Sequence, residues 1–126
     1  MKVYCGTDII EVERIKNAIL NTPKFKEKIF TSSEIAYADA KADVTKYEHY
    51  AGRFAAKEAV YKSISAVFPH VCLNEIEILN DKENLNRPLV VLHNAEISSG
   101  TEKMQIDVSI SHIKDYAIAH AIATFL

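Results

Sequence analysis

Apolar positions recur with a helical period through the first half of the chain and with a period of two through most of the second. The opening stretch "KVYCGTDII" carries β-favouring residues up to Gly6 and predicts a short strand. From Asp8 the period changes, and Ile9, Val12, Ile15, Ile19 and Leu20 fall on one helical face. Asp8 followed by Glu11 has capping-box spacing, so the pattern predicts a helix starting at Asp8 and closed by Asn21-Thr22-Pro23. Thr31 and Glu34 repeat the capping-box spacing ahead of a second helix. A long alanine-rich helix is predicted from about residue 46 to 66, interrupted only by Gly52 and stopped before Pro69. "NEIEIL", "RPLVVLHN" and "MQIDVSISH" then read as strands, and "YAIAHAIATFL", after a turn at Lys114-Asp115, as the last antiparallel strand. One strand, then helices, then strands is an α+β arrangement. With no repeat and no linker, residues 1–126 form one expected domain.

Composition narrows the class. A hydrophobic fraction of 48% supports a core, and 25% charged residues is ordinary for a globular chain. The net charge of −2 argues against nucleic-acid binding. No apolar run approaches membrane-spanning length and the first residues show no apolar leader, which leaves a cytoplasmic protein as the expectation. Cys5 and Cys72 form no CxxC, and His70 beside Cys72 does not make a zinc set. The charge is unevenly spread: Arg14, Lys16, Lys24, Lys26 and Lys28 face only Glu27 between residues 14 and 28. Such a basic stretch is either a solvated surface or a docking face for an acidic partner.

Three patches carry candidate chemistry. Asp8, between strand and helix, is either an N-cap or a carboxylate ligand for a hard cation such as Mg²⁺, which takes one or two protein carboxylates. Glu58 shares a helical face with Phe54, Tyr61, Lys62 and Ser65, a face expected to pack partly inward. There it either pairs with Lys62 or binds metal, since a half-buried carboxylate is costly otherwise. Arg53 and Lys57 lie on the neighbouring face, so one carboxylate stands among phosphate-compatible cations. In "DVSISH", Asp107, Ser109 and Ser111 share one strand face and His112 closes the strand, either as a turn histidine or as a ligand-binding one. No GxSxG elbow, P-loop or GxGxxG is present.

Taken together, "GTDIIEVERI", "AGRFAAKEAVYKS" and "VSISHIKDYAIA" resemble, in order and spacing, the short single-domain 4′-phosphopantetheinyl transferases, the holo-[acyl-carrier-protein] synthase family. The resemblance implies that fold and transfer of the phosphopantetheine arm of coenzyme A to a serine of apo-acyl carrier protein, releasing adenosine 3′,5′-bisphosphate. It places metal-binding carboxylates on Asp8 and Glu58, with Mg²⁺ against the coenzyme's pyrophosphate. Lys62 and Glu58 become the catalytic pair, Arg53, Lys62 and His112 the coenzyme-phosphate ligands, and Arg14 part of the carrier-protein docking surface. It also implies a homotrimer with active sites between subunits, so that Arg53 and His112 act across an interface from Asp8 and Glu58. The chain departs from the family pattern after Lys62, where "SISAVFPHVCL" has no glycine, and at "LNRPL", where Asn86 must serve in a turn. These departures sustain an alternative, a non-catalytic homologue that binds coenzyme A or the carrier protein.

Overall fold

The computed structural model describes residues 1–100 and 103–126. Strand β1 (Lys2–Glu11) leads into helices α1 (Val12–Asn21), α2 (Phe25–Ile29), α3 (Ser32–Asp39) and α4 (Asp43–Ile64). A 3₁₀ turn precedes the hairpin of β2 (Ile76–Asp81) and β3 (Arg87–Leu92), followed by a short α5 (Ala95–Ser99), β4 (Met104–His112) and β5 (Tyr116–Phe125). The fold is α+β with two antiparallel sheets, β1-β5-β4 and β2-β3. The first and last strands are therefore neighbours, with β5 in the middle.

The first helix does not start at Asp8. Asp8 to Glu11 continue β1, pairing with Ala119 to Tyr116 of β5, and the helix begins at Val12. No side chain caps it. An Asp-x-x-Glu stretch has capping-box spacing in a helix and alternating sides in a strand, and pairing with a strand more than a hundred residues later decides between them. The second box forms as read: Thr31 Oγ1 accepts from the Glu34 amide, and Glu34 accepts from the Thr31 amide at 2.8 Å. Asn86 holds its turn at φ 58°, as that residue tolerates, and Leu85 beside it also sits at φ 58°.

Helix α4 is the axis of the fold. It starts three residues before the predicted 46 and ends at Ile64, two residues short of the predicted 66. Its Ala55, Ala56 and Ala59 meet Ala119, Ala121 and Ala123 of β5 in one core cluster, with Val60, Ile64, Ile78 and Val108 around them. Alanine at each inward position of β5 from Ala117 to Ala123 lets the helix lie close on the sheet. Gly6 carries this closeness furthest: a Cβ there would overlap the Ala59 carbonyl oxygen and sit 2.8 Å from the Lys62 Cβ. A second cluster, including Val12, Ile15, Phe30 and Tyr50, joins α1 to the start of α4.

Between Ala51 and Ile64, only Phe54, Glu58, Tyr61 and Lys62 escape full burial. That face packs partly inward as expected, with Phe54 and Tyr61 half-buried against the two clusters, and it is the least enclosed side of this part of the helix. Opposite chemistry holds one residue away. Lys57 is fully buried, 2.7 Å from an equally buried Glu34, and donates to the Leu73 and Ile76 carbonyls. Burial pushes its pKa down and Glu34 opposes that. A buried cation of this kind persists only when its donors are satisfied, so Lys57 is committed to the core and is not one of the cations around Glu58.

Candidate functional site

The sequence patches come together as two separate groups. The first is Asp8, Glu58 and Lys62. The close passage of β1 over α4 at Gly6 brings the Lys62 ammonium to the Thr7 carbonyl at 2.9 Å and to Asp8 Oδ1 at 3.5 Å. Lys62 reaches across to β1 and makes no ion pair with Glu58 among the described residues. Its side chain stays 51% exposed against 18% for Asp8. An ammonium has three donors and two are used, which leaves one facing solvent.

Glu58 has no hydrogen bond or ion pair among the described residues. Its pKa is raised, first by desolvation and then by the charge of Asp8, with Lys62 pulling the other way. Two carboxylates that repel each other are an arrangement that a cation relieves. Among the described residues no group of three or more His, Cys, Asp and Glu side chains gathers around one point. The pair therefore fits an ion that takes two protein carboxylates and fills its other positions with water and substrate phosphate, as Mg²⁺ does.

The second group lies on the other side of α4. Arg53 donates to Asn80 Oδ1 at 3.0 Å, and its guanidinium carbon lies 4.3 Å from the centre of the Tyr37 ring. It is buried, and its Nε has no partner. His112, at the end of β4, lies 3.0 Å from Glu48 through Nδ1 and meets the His49 ring edge-on at 5.0 Å. Tyr37, His49, Arg53, Asn80, Ile110 and His112 line a cavity of about 200 Å³. Of these, Tyr37, His49 and Asn80 went unread in the sequence, where nothing links residues so far apart. Asp107, Ser109 and Ser111 share the outward face of β4, as the alternation predicts. Arg14 is exposed on α1.

The two groups do not converge within one chain. Nine residues separate Arg53 from Lys62, which places them about 180° apart around α4 and about 13 Å apart along it.

The fold and the carboxylate pair define a known class: residues 4–121 match the 4′-phosphopantetheinyl transferase superfamily, and the chain belongs to it. It is 46% identical to the holo-[acyl-carrier-protein] synthase of Clostridium acetobutylicum over 93% of both chains. It is 41% identical to the enzyme of that name from Fusobacterium nucleatum, over 97% of this chain and 98% of that one. Among solved structures, the ACPS–CoA complex of Chronobacterium ammoniagenes is similar at a TM-score of 0.84 and 25% identity, covering 100% of this chain and 99% of that one. The Bacillus anthracis holo-(acyl-carrier-protein) synthase in complex with CoA (3′,5′-ADP) is similar at 0.74 and 32%, covering 95% and 94%.

Proposed function

We propose that this chain is a cytoplasmic holo-[acyl-carrier-protein] synthase of one domain, which moves phosphopantetheine from coenzyme A to a serine of an apo-acyl carrier protein. The observation that carries the reading is the Asp8–Glu58 pair beside the half-free Lys62, in a chain of this family. In the reaction the serine oxygen attacks the phosphorus on the pantetheine side of the pyrophosphate. The bond to the adenosine-side phosphate breaks, adenosine 3′,5′-bisphosphate leaves, and the serine proton passes to water.

Asp8 and Glu58 hold Mg²⁺ in this reading. The bound ion would neutralise pyrophosphate charge and orient the two phosphates. Lys62 directs its third donor at the leaving phosphate, held in place by the Thr7 carbonyl. Arg53 and His112 supply coenzyme-phosphate contacts from the cavity side of α4. Because that side faces away from Lys62, the coenzyme bridges two copies of the chain. The outward face of the β1-β5-β4 sheet supports such an assembly: Val3, Ile9, Tyr116, Ile118 and Ile122 are all exposed on it. An apolar surface of this extent on a small protein is suited to covering by another copy, and a homotrimer with shared active sites satisfies both observations. Exposed Arg14, with Lys16, Lys24 and Lys28, steers the acidic carrier protein to the site.

Mass spectrometry of an apo-acyl carrier protein incubated with this chain, coenzyme A and Mg²⁺ tests the reading. A mass gain of one phosphopantetheine, abolished by EDTA, is the expected result. No gain, with coenzyme A still bound, identifies a non-catalytic binder and overturns it.

A further inference from the structure

His112 is held on three sides. Its Nδ1 lies 3.0 Å from Glu48 Oε1, and because a carboxylate only accepts, Nδ1 carries the hydrogen. Glu48 and Gly52 are one helical turn apart and face the same way. The opposite edge of the ring passes over Gly52, where a Cβ would sit 3.7 Å from His112 Cδ2 and 3.2 Å from Ile110 Cγ2. The His49 ring closes a third side at 5.0 Å. Glu48 is 15% exposed and His112 30%, so the pair is partly shielded from competing water. What remains is Nε2, which has no hydrogen-bond partner among the described residues.

We propose that Glu48 is a positioning residue for coenzyme binding, acting through His112. The inference rests on the reading above that His112 meets a coenzyme phosphate. An unheld imidazole turns about two side-chain bonds, and because phosphate oxygens only accept, the contact needs the imidazolium in the orientation that donates Nδ1–H to Glu48 and leaves Nε2–H free for the phosphate. The charge-assisted bond to Glu48 selects that orientation before the coenzyme arrives, much as second-shell carboxylates orient histidine ligands of metals. The contribution belongs to binding and leaves the transfer step alone.

Five proteins test this: native, Glu48→Ala, Glu48→Gln, His112→Ala and the double alanine variant, assayed for KM of coenzyme A and for kcat at saturating carrier protein. Glu48→Ala is expected to raise KM about tenfold with kcat near native, the size of one lost charge-assisted bond. Glu48→Gln, whose amide oxygen still accepts from Nδ1, recovers most of that loss. In the His112→Ala background, Glu48→Ala adds nothing. An equal KM increase with and without His112 overturns the proposal, because Glu48 then acts independently. If His112→Ala raises KM and Glu48→Ala does not, the positioning role falls while the phosphate reading of His112 stands. If His112→Ala leaves KM unchanged, both fall together. Long-range ¹⁵N NMR of the native protein adds a readout without ligand: Nδ1 must bear the hydrogen in the native protein, and an Nδ1 without one overturns the proposal.

Discussion

Lys57 and Glu58 are adjacent in the chain, yet one is sealed in the core against Glu34 and the other stands unpaired at the open side of α4. Their environments predict opposite consequences of substitution. In metal-free buffer near pH 8, Glu58→Gln keeps or slightly raises the thermal midpoint, because the native fold disfavours the Glu58 charge. Phosphopantetheine transfer is lost in the same variant, and in Asp8→Asn, by about a hundredfold or more. A calorimetric scan and the mass assay on one sample check both halves. His49 offers a second residue-level prediction. Its pKa is lowered from 6.5, first by burial and then by His112, Lys41 and Arg53. A histidine kept neutral by the fold is protonated first in the unfolded chain, so it costs stability as pH falls below about 6.5. His49→Gln should therefore lose less thermal stability than the native protein between pH 7 and pH 5.5, as unfolding curves at the two pH values will show. The charges of these residues were legible in the sequence and their partners were not: Lys57 meets Glu34, and His112 meets Glu48 across 64 positions.

Among the elements, β1 and α4 matter most to the candidate site, because their close approach gathers Asp8, Glu58 and Lys62. Gly6 permits that approach. Gly6→Ala has to push β1 off a backbone carbonyl, which cannot yield as a side-chain end would. Misplacement of catalytic groups by about 1 Å costs about a hundredfold in rate. The variant should lose activity to that degree and lower the thermal midpoint, while the same exchange at Gly100 on the surface leaves both near native. The long helix was legible because its period is sustained over many residues, and β2, β3 and β4 because each is a β-favouring run; periodicity alone left the last segment between strand and buried helix, and the turn at Lys114-Asp115 decided for the strand. The end of β1 was not legible, since four residues from Asp8 to Glu11 suit either a helix start or a strand and their hydrogen-bond partners lie in β5. The partly inward face of α4 was read as it stands, but the enclosure of every other side was not legible. Its residues repeat at helical spacing, but which face of a helix is enclosed depends on how many elements surround it, and here β1, β5, β4, α1, α3 and β2 all do.

At the scale of the whole molecule, the opposed faces of α4 give the reading its sharpest test. A subunit with Arg53→Ala keeps the Asp8–Glu58 side, and one with Glu58→Ala keeps the Arg53–His112 side. Each alone should be inactive, whereas mixing them by co-expression should restore part of the native transfer rate, because some sites then combine two intact halves. Sedimentation of the mixed sample establishes that the copies share an assembly. Recovery of activity is absent if each chain holds a complete site. The same placement of Arg53 and Lys62 on opposite sides of one helix has a consequence for abundance. A catalyst completed only between copies works at a rate that falls faster than its concentration once dilution separates the subunits. On the shared-site reading, the amount of this chain in a cell would act as a threshold, below which carrier protein stays in its apo form whatever the supply of coenzyme A.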